Sequence, residues 1–162
     1  MATIGKFNGK ITAEFTPPST WVLEKPLSFA TAQLNNDDVD VLKRIGANIR
    51  QDLNGAKVTC VKGMETDLAS VPRIIWTVLA PWDVARAAVI HDHLYASLRR
   101  YYNRSIFGGS DRKIWRKGRE LSDKIFLLGM KSAEPSVPAY KMYPAYWAVR
   151  VFGRWPASAK ES

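Results

Sequence analysis

Two patterns of hydrophobic and polar residues divide the chain near residue 65. In the first part, apolar and polar residues alternate in short runs such as AKVTCVK at 56–62, where Val58 and Cys60 share one face. Such alternation is typical of half-buried strands. Prolines at 17, 18 and 26 disfavour helices there, and Asn-Gly pairs at 8–9 and 54–55 predict turns.

One segment of this first part has a helical pattern instead. NNDDVDVLKRIGANI, at 35–49, predicts a short helix capped by Asn36 or Asp37, with Val41, Leu42 and Ile45 on one face.

The second part has helical periodicity throughout. Ser70 is expected to cap a helix over 71–80, and Pro81 to end it. Helices are then predicted over 82–100, over 111–131 after a loop at 103–110, and over 137–154 with a break or kink near Pro144. We expect an α+β fold and a single domain over 1–162, with N-terminal strands at 1–65 packed on a bundle of about four helices at 66–162.

Composition limits the classes of protein that fit. Hydrophobic residues make up 46% of the 162 residues, which is enough for a buried core. A single cysteine, Cys60, excludes an intramolecular disulfide, and no apolar run approaches the length of a membrane span. The net charge of +9 favours a polyanionic partner.

The chemistry of interest lies in AAVIHDHLYASL at 87–98, which holds both histidines. On a helix, His91 and Tyr95 lie on one side, while Asp92 is turned about 100° away. If the two long helices are antiparallel, Asp123 can face His91 and accept a hydrogen bond from Tyr95. His91 would then be an oriented general base and Asp92 a ligand for a hard cation, or His91 and Asp123 would only satisfy each other between packed helices.

HDHLY at 91–95 followed by SDKIF at 122–126 resembles the catalytic core of calcium-dependent secretory phospholipases, and especially the disulfide-free form in parvovirus capsids. By this resemblance His91 would activate a water molecule, Asp92 would bind calcium, and Asp123 and Tyr95 would orient His91. The glycine-rich calcium loop of those enzymes has no counterpart before His91.

A second resemblance covers more of the chain. GMETDLASVPR at 63–73, ARAAVIHDHLY at 85–95 and AVRVFGRW at 148–155 are similar to a family of small proteins of phages and prophages, whose function is not established. The resemblance implies a phage protein that is made in the host cytoplasm, with association with the virion as an open alternative. Its implied partners are phage structural proteins or host envelope lipid.

The TDLASVPR segment has a structural and a functional interpretation. Thr66 and Asp67 can hold a tight turn before Ser70 caps the next helix. Alternatively, Asp67 would join Asp92 as an oxygen ligand of calcium, and Arg73 would face a substrate phosphate. Zinc is not expected, because His91 and His93 face apart on one helix.

Basic residues, Arg119 among them, are concentrated between 99 and 119, where Asp111 is the single acid. This predicted binding surface comprises Arg99, Arg100, Arg104, Arg112, Lys113, Arg116 and Lys117, together with Arg73. It could be a solvated face, or it could bind anionic lipid or, without sequence specificity, nucleic acid. The aromatic residues of 140–155 are expected in the core or in a protein interface.

Two hypotheses follow from the sequence. The first is a phage-encoded lipid or ester hydrolase with His91 as base, which requires a solvent-reached cleft at His91 and a cation beside Asp92. The second is a non-catalytic virion, tail or assembly protein that binds partners through its basic, aromatic surface. It predicts a sealed helix interface at His91 and an apolar patch on the C-terminal segment.

Overall fold

A computed structural model describes residues 4–67, 71–72, 77, 81–104, 109–134 and 136–160, with the backbone alone at 81–83 and 109–110. The strands are β1 (Lys6–Phe7), β2 (Ala13–Thr16), β3 (Thr20–Leu23), β4 (Leu27–Thr31), β5 (Ile49–Asp52), β6 (Gly55–Cys60) and β7 (Glu65–Thr66). The helices are α1 (Asn36–Arg44), α2 (Pro81–Arg104), α3 (Gly109–Lys131), α4 (Ala139–Phe152) and α5 (Arg154–Ser158). The predicted α+β architecture is confirmed.

The described strands form two antiparallel sheets, with orders β1-β4-β6-β5 and β2-β3-β7. Strands β5 and β6 are joined by a turn over Leu53 and Asn54, and Gly55, the first residue of β6, has a φ of 108° that favours glycine. Ala56, Val58 and Cys60 alternate into the core, as the sequence pattern indicates.

Helix α1 confirms the predicted short helix but corrects its cap. Asn35, rather than Asn36 or Asp37, is the N-cap: its side chain accepts from the Asp38 backbone N–H, and Asp38 accepts from the Asn35 backbone N–H. This reciprocal capping box requires an acceptor three residues after the cap, which Asp38 supplies for Asn35.

Helices α2 and α3 are antiparallel, because Asp123 contacts His91 whereas Asp111 contacts Tyr101, ten residues later in α2. Helix α4 runs through Pro144 without the break that the proline suggested. Pro144 is exposed, so water can hydrogen-bond the carbonyl that loses its helical donor. The Ser70 cap falls outside the described residues.

Buried side chains from the sheets and the helices form one continuous hydrophobic core. Helix α2 lies at its centre, with Ala88, Leu94 and Leu98 fully buried. The polar side chains of α2 therefore contact other helices and strands, and these contacts determine their chemistry. None of the described helices is both long and apolar enough to cross a bilayer.

Candidate functional site

A hydrogen-bonded cluster joins α2 to α3 in the interior. His91 Nε2 donates to Asp123 Oδ1 at 2.8 Å, and the Tyr95 hydroxyl donates to the same oxygen at 2.7 Å. The contact that the sequence predicted between these three residues is therefore present. The catalytic role assigned to His91, Tyr95 and Asp123 stays a prediction.

Arg150 of α4 completes this cluster from a third helix. Its Nη1 donates to Asp123 Oδ2 at 2.7 Å, so both carboxylate oxygens are hydrogen-bonded. Burial alone would raise the pKa of Asp123, but the hydrogen bonds and charge of His91, with further bonds from Tyr95 and Arg150, lower it below the ordinary value. Asp123 is thus an ionised carboxylate at neutral pH, held by three donors.

The cluster is closed to solvent. His91, Tyr95 and Asp123 are each 0% exposed. The His91 ring packs against Tyr95, with centroids 4.1 Å apart, and against Phe126 at 5.0 Å. Burial, and next the charge of Asp123, raise the pKa of Tyr95 well above its usual value, so its hydroxyl remains a donor. We name His91, Tyr95 and Asp123 the sealed centre.

Asp92 lies on another side of α2, against the strands. Its Oδ2 accepts from the Thr66 hydroxyl of β7 at 2.6 Å. Asp92 is 4% exposed, and no described residue donates a hydrogen bond to its Oδ1. Burial, and next the Asp92 charge, raise the pKa of Cys60 to about 12, so that thiol is neutral.

The predicted calcium ligands are not seen as a cluster. Asp67 is exposed, directly after the residue that contacts Asp92. Calcium takes six to eight oxygen ligands. Within the described ranges, no group of three or more His, Cys, Asp or Glu side chains could hold a metal ion. Calcium binding at Asp92 and Asp67 stays a prediction.

His93 contacts Asn48, the residue directly before β5, and not the sealed centre. Its Nε2 accepts a hydrogen bond from the Asn48 backbone N–H at 3.2 Å, which requires a neutral imidazole. Burial, and next the charge of Arg100, lower its pKa to about 4. The two histidines therefore have different partners: His91 contacts Asp123 of α3, whereas His93 links α2 to the residue before β5.

The predicted basic surface divides into two sets. Arg99 donates to the Pro156 carbonyl, Arg100 to the Ser97 hydroxyl, and Lys117 pairs with Glu120, so these three side chains have protein partners. The remaining described members are exposed, and they are Arg104, Arg112, Lys113 and Arg116. Arg73 lies outside the described residues.

Arg112 and Arg116 open onto a cavity of about 610 Å³ between the ends of α2, α3, α4 and α5. Arg119 of α3, Arg150 of α4 and Arg154 of α5 line it as well. We call these five residues and the space between them the arginine pocket. Tyr102 and Trp115 form part of its wall, and Glu120 is the acid among the described lining residues.

Arg150 connects the arginine pocket with the sealed centre. It lines the pocket while donating to Asp123, and Arg119 Nη1 donates to its backbone carbonyl at 2.9 Å. Arg119 Nη1 also lies 3.9 Å from Asp123 Oδ2. Burial would lower the pKa of Arg150, but its hydrogen bond with Asp123 raises it. The buried carboxylate thus anchors the inner wall of an open basic pocket.

Sequence analysis placed Arg119 in the basic stretch of 99–119, but it did not bring Arg119, Arg150 and Arg154 together. They stand on three helices, and their proximity depends on how α4 and α5 pack on α3. One signal was available: Arg112, Arg116 and Arg119 recur at helical spacing, which places them on one face of α3.

The C-terminal aromatic residues are largely outside the core. Tyr140, Trp147 and Trp155 are 74%, 61% and 65% exposed. Met142, Ala145 and Val149 form the buried face of α4. The expectation of a core position is wrong for these three aromatic residues, and the expectation of a protein interface stays a prediction.

Comparison with known proteins identifies a family for this chain but no activity. Neither a curated protein nor a solved structure matches the chain. A family model described as protein of unknown function (DUF1353) matches residues 46–149, which is more than half of the chain. The matched span contains the sealed centre, and Arg150 is the first residue after it. The chain therefore belongs to the DUF1353 family of proteins of unknown function.

Proposed function

We propose that this protein is a non-catalytic binding protein that takes an anionic partner in the arginine pocket, and that the sealed centre is its structural anchor. The observation that carries the proposal is the convergence of five arginines from three helices on one cavity of about 610 Å³. The fold holds these positive charges close together, and their repulsion costs free energy that a bound anion would offset.

Guanidinium groups suit this role because they stay charged and donate in a fixed planar fork to phosphate or carboxylate. Arg112, Arg116 and Arg154 are exposed and can reorient towards a ligand. Arg150 is fixed by Asp123, so its remaining N–H donors are preorganised at the inner wall. Preorganisation lowers the entropy lost on binding.

The resemblance to small phage and prophage proteins supports a phage setting for this binding role. In a phage, the protein would bind its partner during assembly or on the virion. The net charge of +9 favours polyanionic partners in general. The exposed aromatic residues of α4 and α5 adjoin Arg150 and Arg154 in the chain and would extend the contact surface.

Calorimetric titration with inorganic tripolyphosphate tests the proposal. The wild type should bind, with an affinity that falls as salt rises. Arg116→Gln removes one exposed pocket charge and should weaken binding about tenfold, because a charged hydrogen bond contributes on the order of 1.5 kcal/mol. Lys62→Gln is the matched control, since Lys62 is exposed two residues after the end of β6 and the substitution removes the same charge.

Equal loss in both variants would show that net charge alone binds the anion, and the pocket would have no special role. Absence of binding to the wild type at low salt would overturn the proposal outright.

A hydrolase is the second candidate, and one observation favours it: Asp92 Oδ1 is buried without a partner among the described residues, next to His91 in the chain. In that case His91 would take a proton from water, Asp123 and Tyr95 would orient it, and Asp92 with Asp67 would be the sites for calcium. The enclosure of His91 weighs against this candidate, because a base must reach the proton it removes.

Ester hydrolysis on anionic vesicles with calcium decides between the two functions. The binding function predicts no turnover above background. Turnover that disappears in His91→Gln but persists in His93→Gln would establish the hydrolase instead.

A further inference from the structure

The arginine pocket has an aromatic wall as well as a basic one. Tyr102 and Trp115 line it, with ring centroids 5.6 Å apart and planes tilted by 56°. The Trp115 indole N–H donates to the Ala157 carbonyl at 3.3 Å. This bond fixes the ring between α3 and α5 and uses its polar atom, so what the ring can offer a ligand is its π surface.

The size and charge of the pocket limit the ligand. A volume of about 610 Å³ lies within the usual range of small-molecule sites, roughly 300–1,000 Å³. Glu120 is already paired with Lys117 at 2.9 Å, and Asp123 balances the charge of Arg150. Arg112, Arg116 and Arg154 form no ion pair with an acid of the described residues. A ligand that matches both features is small and carries several negative charges.

We propose that the arginine pocket binds a nucleotide, with its phosphates on the arginines and its base stacked on Trp115 or Tyr102. This inference rests on the proposed anion-binding function and adds the ligand class. Every base has a π face, so stacking on this wall tolerates different bases. The pocket is therefore expected to accept purine and pyrimidine nucleotides.

The aromatic wall distinguishes a nucleotide from a simple polyphosphate. Tripolyphosphate has the charge of a nucleoside triphosphate and no base, so the difference between their affinities isolates the stacking contact. Stacking on one aromatic side chain corresponds to roughly a tenfold gain in affinity. We expect ATP to bind the wild type about tenfold more tightly than tripolyphosphate does.

Calorimetric titration of ATP, tripolyphosphate and a ten-residue oligothymidylate tests the inference. Trp115→Leu should remove most of the preference for ATP while tripolyphosphate affinity changes little. Trp147→Leu is the matched control, because Trp147 is 61% exposed and is not among the described residues that line the pocket. Tyr102→Leu is the second wall variant and decides the matter if Trp115→Leu fails to fold.

Each outcome is informative. Equal affinity for ATP and tripolyphosphate would overturn the nucleotide inference and leave the anion-binding function standing. Binding of neither would overturn both. Tighter binding of the oligothymidylate than of ATP would also overturn the inference, in favour of a nucleic-acid strand. A tenfold preference for ATP that both wall variants lose and Trp147→Leu retains would establish it.

Discussion

The sealed centre and the arginine pocket meet where Arg150 of the pocket donates to Asp123 of the centre, and they differ in solvent exposure and in the pairing of their charges. In the sealed centre, His91 and Tyr95 donate to Asp123, which is 0% exposed, and Arg150 donates to its second oxygen. In the pocket, five guanidinium groups face a space of about 610 Å³. A polar cluster whose hydrogen bonds are satisfied inside the protein stabilises the fold, whereas the exposed arginines of the pocket, Arg112, Arg116 and Arg154, can pair with a ligand.

The largest effect on stability is expected from the carboxylate of Asp123. Asp123→Asn removes the charge that holds Arg150 and His91, and loss of one partner from a buried ionic cluster costs about 3 to 5 kcal/mol. We expect the free energy of unfolding, measured with urea, to fall by that amount. Asp40→Asn is the matched control on the exposed side of α1 and should change it by less than about 0.5 kcal/mol. Equal small effects in both variants would mean that the cluster does not anchor the helices.

The burial of His93 predicts how the free energy of unfolding depends on pH. The pKa of His93 is lowered to about 4 in the folded protein from 6.5, so the unfolded chain takes up the proton first as the pH falls. The free energy of unfolding should therefore decrease from pH 7 to pH 4, by about 3 kcal/mol from this group. His93→Gln should flatten that part of the urea-derived curve. If the free energy of unfolding of His93→Gln depends on pH as it does in the wild type, the lowered pKa of His93 is not the cause.

A smaller effect is expected at the junction of α4 and α5. Gly153 is buried against Tyr95, and a Cβ there would collide with the tyrosine hydroxyl and the Val149 carbonyl. Gly153→Ala should lower the free energy of unfolding by roughly 1 to 3 kcal/mol through overpacking. At Gly9 a Cβ would meet nothing within 4 Å, so Gly9→Ala is the control in the same thermal or urea measurement. Equal stability of both variants would show that this junction can relax.

The sequence allowed the interior of the bundle to be predicted because local rules determine it. His91 and Tyr95 are four residues apart and must share a helix face, and a short connection makes the following helix antiparallel. Asp123 was then the one acid placed to meet them. The cap of α1 was assigned one or two residues late, to Asn36 or Asp37, because neighbouring polar residues look alike until the position of Asp38 is considered.

The pocket could not be predicted in the same way. It depends on the packing of α4 and α5 against α3, which brings Arg150 and Arg154 to Arg116 and Arg119 from more than 25 residues away in the chain. Hydrophobic periodicity shows that α4 has a buried face but not which element covers it. The exposure of Trp147 and Trp155 escaped prediction for the same reason, since aromatic residues at helical spacing also fit a core.

The most direct test of the division between the two regions is a paired measurement on Tyr95→Phe and Arg116→Gln, recording the thermal midpoint and the tripolyphosphate affinity of each. Tyr95→Phe removes one donor to Asp123, so stability should fall by about 1 kcal/mol with affinity within twofold of the wild type. Arg116→Gln should weaken binding about tenfold with an unchanged midpoint. Loss of affinity in Tyr95→Phe as large as in Arg116→Gln would contradict the account, because the buried cluster would then be part of the binding site itself.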